Sequence, residues 1–243
     1  MSKSGTQYSP NKNLIWLLLR PWILIPRVLY IFLTIVFFII RVIFQGRSKS
    51  DIVQKDLSKY LFKVITDLGP CYIKLGQALS TRPDLVRQDW LEELSNLQDN
   101  LPAFDHKIAL KTIEDELGSP ASKLFQDFPN KPIASASLGQ VYKARISKNN
   151  FVAVKVQRPN LEFIIKRDIV ILKILANIFS PLLPLNIGVG LGEIIDEFGK
   201  ALFEEIDYEK EAQNAEKFSK LFRKNKQVII PKVEKSFSSK KVV

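Results

Sequence analysis

The chain has 243 residues, 46% of them hydrophobic and 10% aromatic, which suffices for one large or two small domains with a real core and excludes disorder over most of its length. A single cysteine (Cys71) and a single histidine (His106) exclude an internal disulfide and any Cys/His zinc cluster. The net charge of +11 suits nucleic acid, an anionic lipid or a polyphosphate ligand, and reads equally as a generally basic soluble surface. With no helix-turn-helix signature and no aromatic-basic platform, nucleic acid is not an expected partner. His106, in the polar string PAFDHKIA, reads as a surface or capping residue, and one cysteine is consistent with a reducing compartment.

The first feature in chain order is the apolar segment 14–44, LIWLLLRPWILIPRVLYIFLTIVFFIIRVIF. Its longest uncharged run, residues 28–40, is roughly 20 Å long as a helix, short of the ~30 Å hydrocarbon core. Extension back to Trp22 adds only Arg27, which is expected to snorkel from near one end. Pro21 and Pro26 break or kink what precedes. Trp16, Trp22 and Tyr30 favour a membrane interface, and Arg41, Arg47 and Lys49 flank the far end. No small-x-small cleavage site follows. A membrane-inserted or interfacial helix, a single span, and a buried core or dimer helix all remain open; membrane association is the expectation, its depth undecided. Residues 46–50, GRSKS, read as a linker.

Residues 51–128 read as helical. Ile52, Leu57, Leu61, Val64, Ile65 and Leu68 recur near helical spacing until Gly69-Pro70 stops the helix. The period resumes from Tyr72 to the break at Thr81-Arg82-Pro83. Further helices are expected over 89–97 and 105–117, the latter capped by Gly118. Lys74 and Gln77 share a helical face, and Gly76 between them lets a backbone or ligand approach closely.

After Pro132 the pattern alternates: a strand over 138–146, a turn at SKNN, and a second strand over 151–156 predict an antiparallel hairpin. Val152-Ala153-Val154-Lys155 has the form of the kinase V-A-I-K strand, whose lysine contacts the α/β-phosphates. Upstream, Ala134-Ser135-Ala136-Ser137-Leu138-Gly139-Gln140-Val141 keeps the last glycine and the valine of G-x-G-x-x-G-x-V, with Ala134 and Ala136 in place of the first two glycines. Alanine removes φ > 0 freedom, so a stiffer phosphate grip is expected. A lysine in an apolar strand needs a charge partner. Residues 191–222 are predicted to form one long helix carrying Glu205, Asp207 and Glu211. Those carboxylates are either a solvated acidic face or the partner Lys155 needs.

These motifs together resemble the UbiB/AarF-domain-containing atypical kinases, over about residues 55–243. Lys74-Leu75-Gly76-Gln77 fits the KxGQ signature, with STRPDL at 80–85 and ELxxLQD at 93–99 following. Ala134-Ser135-Ala136-Ser137 fits the alanine-rich loop, Val152 to Lys155 the nucleotide strand, and Glu205-Ile206-Asp207 with Glu211 the ExD motif. The resemblance implies an α+β fold: an apolar segment (1–50), a helical KxGQ extension (51–128) and a protein-kinase-like N-lobe (129–243), with the C-lobe absent. It further implies ATP held by Lys155, Ala134, Ser135, Ala136, Ser137, Gly139, Val141 and Ala153, with Lys155 paired to Glu205. The Lys74, Gly76 and Gln77 segment would gate the cleft. Expected partners are membrane or isoprenoid lipid, with a homodimer through the N-terminal helices as a further option. The function implied is ATP-dependent kinase or ATPase activity supporting isoprenoid-quinone metabolism at a bacterial or organellar inner-type membrane, the kinase-like part on the reducing side.

No H-R-D-like or D-F-G string occurs in the sequence. Catalytic residues and Mg²⁺ ligands are therefore expected outside these residues, and no metal ligand is assigned within them. The chain then reads either as the N-terminal part of a longer enzyme or as an inactive, membrane-associated binding scaffold.

Overall fold

A computed structural model describes residues 8–46, 50–98, 101–182 and 190–243. Arg47 and Lys49 of the expected linker, and Asp99 of the ELxxLQD string, lie outside the described residues. The chain forms a mixed fold of helices with one small antiparallel sheet. Helices α1 (Pro10–Leu18), α2 (Pro21–Gln45), α3 (Asp51–Leu68), α4 (Pro70–Ser80), α5 (Gln88–Ser95), α6 (His106–Leu117) and α7 (Ala121–Leu124) precede strands β1 (Ala134–Ser135), β2 (Gly139–Ser147) and β3 (Asn150–Gln157). Helices α8 (Leu161–Phe179), α9 (Leu191–Glu205) and α10 (Tyr208–Leu221) follow.

Two compact units result, and their boundaries differ from the three-part division expected from sequence. The first holds Pro102–Glu162 and Ala201–Val243; the second holds Tyr8–Leu101 and Phe163–Lys200. Helix α6 packs against β3, so it belongs with the sheet. The apolar helix α2 packs against α3, so it is no separate segment.

In the first unit the sheet order is β1-β2-β3, antiparallel throughout. The chain end continues it: Lys155 N–H donates to the Val243 carbonyl at 2.7 Å, and Val156 bridges to Val242. Alternation along β2 turns Tyr142 and Ala144 into the core, where they meet Ile113, Phe125 and Val154. Helix α6 begins as expected, with the Asp105 carboxylate accepting from Lys107 N–H at 2.7 Å, and ends at Gly118 with φ +71°. His106 follows the cap, its Nδ1 3.3 Å from the Tyr142 hydroxyl and its ring stacked on Phe128. The single long helix expected over 191–222 is instead two. Extended backbone at Asp207 ends α9, and the Asp207 carboxylate caps α10 by accepting from Lys210 N–H at 3.3 Å.

In the second unit Gly69, at φ +96°, ends α3, and Pro70 opens α4. Arg27 does not snorkel. Its guanidinium turns inward and donates to the Asp168 carboxylate at 3.0 and 2.7 Å, and to the Leu68 carbonyl at 2.5 Å. Asp168 is 0% exposed and also accepts from Arg167 at 2.7 Å. It lies on α8, a helix with no counterpart among the elements expected from sequence. A buried carboxylate needs such cations, and this one draws the arginine away from solvent. Burial, then the Asp168 charge, pushes the Cys71 thiol well above its ordinary pKa.

Candidate nucleotide-binding site

On β3, pleating sends Val154 and Val156 into the core and leaves Ala153 and Lys155 on the opposite face. The Asp207 cap fixes where α10 begins, and Tyr208 and Glu211, three residues apart, then share a helical face. That face meets Lys155. The Lys155 ammonium donates to both Glu211 carboxylate oxygens, at 2.9 and 2.6 Å, and stands 4.5 Å from the centre of the Tyr208 ring. Burial, followed by the charges of Glu211 and Glu205, raises the Tyr208 phenol above its ordinary range.

The pair opens on a cavity of about 680 Å³, within the range of small-molecule sites. Its apolar walls include Val141, Ala153, Phe125, Pro231, Val233 and Val243, with Lys155, Glu211, Lys232 and Glu234 as charged groups. The structure thus gathers Val141, Ala153, Lys155 and Glu211 at one site. Ala134, Ser135, Ala136, Ser137 and Gly139 do not line it. Their loop is a tight turn: Ala134 and Ser135 pair with Val141 and Gln140, and Ala136 N–H donates to the Gly139 carbonyl at 2.8 Å. Arg158 ties it down, donating from Nε to the Ala136 carbonyl at 3.0 Å, from its backbone N–H to the Leu138 carbonyl at 2.9 Å, and from its guanidinium to the Pro102 carbonyl at 2.7 Å. The stiffness expected from alanine therefore comes with an arginine staple.

Gly139 is required by close approach. A Cβ there would stand 2.6 Å from both the Tyr208 hydroxyl and the Val156 carbonyl oxygen. Gly139→Ala is expected to cost about 1–3 kcal/mol through overpacking, read as a lowered midpoint in urea unfolding.

The implied pairing of Lys155 with Glu205 is not what forms: the partner is Glu211, because Glu205 ends α9 while Glu211 lies about one turn into α10. Asp207 acts as the helix cap. Lys74, Gly76 and Gln77 lie on α4 of the second unit. A Cβ on Gly76 would come within 2.6 Å of Leu97 Cδ1, and Gln77 Nε2 donates to the Leu97 carbonyl at 2.7 Å. Those two residues fasten α4 to the segment after α5. Among the described residues no group of three or more His, Cys, Asp or Glu side chains is placed to hold a metal.

Sequence reasoning missed Arg158 as the loop's staple and Tyr208 as the surface beneath the lysine. Tyr208 carried a usable signal, its spacing of three from Glu211 on a helix. Arg158 carried none.

The profile of the ABC1 atypical kinase-like domain matches residues 96–243. The chain is 43% identical over 225 residues to slr1919 of Synechocystis sp., covering 92% of this chain and 40% of the relative. It is 40% identical to the chloroplastic aarF domain-containing protein kinase At1g71810 of Arabidopsis thaliana, covering 92% and 32%. It is 41% identical to the chloroplastic protein ACTIVITY OF BC1 COMPLEX KINASE 1 of the same plant, covering 76% and 27%. The chain thus spans well under half the length of these relatives. A solved structure, that of an Rv3197–erythromycin complex from Mycobacterium tuberculosis, is similar at 29% identity with a TM-score of 0.46, covering 77% of this chain and 47% of that one.

Proposed function

Because the chain belongs to the ABC1 atypical kinase-like family, we propose that its first unit binds ATP as part of an atypical kinase or ATPase acting on isoprenoid-quinone lipid metabolism at a membrane. The observation that carries this reading is the strand lysine gripped by a helix carboxylate at the mouth of an apolar cavity, Lys155 with Glu211. A nucleotide base fits walls of the kind Val141, Ala153 and Val243 provide, and an ammonium is a natural partner for phosphate oxygens. Glu211 would orient Lys155 and hold its charge at the cavity mouth. The bound nucleotide supplies the transferable phosphoryl group, with Mg²⁺ as its expected companion; the described residues offer no protein cage for that ion. The chloroplastic relatives and the apolar α2 support a place at an organellar or bacterial membrane.

Lys155→Ala removes a charge-assisted contact of about 1.5–3 kcal/mol, so ATP affinity is expected to fall roughly tenfold to a hundredfold. Isothermal titration with ATP reads this. The side chains of the Lys155–Glu211 pair are 30% and 47% exposed, so its loss should change stability by no more than about 1 kcal/mol. Weaker binding then does not arise from unfolding. Unchanged affinity, or no binding by the unaltered chain, overturns the reading.

A further inference from the structure

Resting on that membrane reading, we propose that α1 and α2 lie flat on an anionic lipid surface and that α2 does not cross the bilayer. By length and composition α2 could cross: it has 25 residues, and its most apolar 18-residue stretch has a mean hydropathy of 2.6. One side, however, is tied to α8, α3 and α5 at points along its length, while little of the helix is buried. Near the start Arg27 is paired with Asp168, midway Phe38 packs on Tyr60 and Trp90, and near the end Arg41 donates to Asp56 at 2.5 Å. Helix α3, which runs against α2, carries Lys55, Asp56, Lys59, Lys63 and Asp67. A spanning α2 would drag those charges into hydrocarbon, where each is costly.

The outward side has the opposite character. Trp22 (70% exposed), Ile25, Leu29, Phe32, Leu33, Phe37, Ile43 and Phe44 make a broad uncovered apolar surface, and Leu18 of α1 is exposed as well. Such a face, backed by a polar protein body, is the geometry of an interfacial helix. The charge fits an anionic lipid: residues 1–50 hold Lys3, Lys12, Arg20, Arg27, Arg41, Arg47 and Lys49 and no aspartate or glutamate. Trp16 is flanked by the Arg20 guanidinium at 4.8 Å and the Lys166 ammonium at 4.3 Å, an amphipathic anchor of the interfacial type. A second copy is a poorer cover, because the same positive segment would face itself.

The test uses the full chain with Asn11→Cys or Ser50→Cys, at exposed positions bracketing α1 and α2. Native Cys71 is 0% exposed and its thiol resists ionisation, so it adds little labelling. The protein is floated with sealed phosphatidylcholine/phosphatidylglycerol vesicles and treated with a membrane-impermeant maleimide, with and without detergent. The expected result is flotation that is lost when phosphatidylglycerol is omitted, with both cysteines labelled fully before detergent. Labelling of one cysteine only after detergent means a span and overturns the in-plane arrangement while sparing the membrane reading. No flotation with either vesicle overturns both, and a dimer by light scattering that leaves vesicles unbound assigns the face to a second copy.

Discussion

Asp168→Ala is expected to destabilise the second unit by about 3–5 kcal/mol. The Asp168 carboxylate is fully buried and accepts from Arg27 Nε and Nη2 and from Arg167 Nε, at 2.7–3.0 Å. Its removal strands two guanidinium groups whose side chains are only 13% and 18% exposed. The cost is the desolvation of unpaired charge, which is larger than any single hydrogen bond. Urea unfolding followed by far-UV circular dichroism reads the change. Asp168→Asn keeps acceptor capacity in the same volume and should lose less. A loss below about 1 kcal/mol for the alanine variant would contradict the burial of this triad.

The second large effect is at Tyr208. Its ring is fully buried against Gly139 and beneath Lys155, so Tyr208→Ala should cost about 3–5 kcal/mol, as for other buried aromatic residues. The Tyr208 hydroxyl has no hydrogen-bond partner among the described residues. Tyr208→Phe should therefore be neutral or slightly stabilising, because an unpaired buried polar group is removed. Both variants are read by denaturant midpoint. A phenylalanine variant as unstable as the alanine one would mean that the hydroxyl is engaged after all.

What was legible in the sequence is what local chemistry dictates. Gly69-Pro70, Asp105 and Gly118 mark helix ends through backbone requirements that need no partner, and each falls where expected. The hairpin around SKNN follows from alternation alone, and the lysine on its second strand was legible as a charge needing a partner. What escaped depends on partners distant in sequence. Arg27 lies 141 positions from Asp168, so nothing near it betrays that it is a buried ion-pair member. The choice of Glu211 over Glu205 turns on where the helix breaks, and that break is set by Asp207 serving as a cap, a role that competes with reading it as part of an acidic helix face. Gly76 was legible as a place of close approach; that the approaching group is Leu97 was not.

The most direct measurement of the nucleotide site is covalent mapping with an acyl-phosphate derivative of ATP. The amine of a lysine beside the bound phosphates attacks the acyl carbon, an amide forms and ATP departs. Mass spectrometry of the digested chain is expected to find the acyl group on Lys155, suppressed by excess ATP and restored when the ATP is removed. Acylation spread over surface lysines without suppression by ATP, or concentrated at a lysine away from the Glu211 cavity, would contradict nucleotide binding at this site.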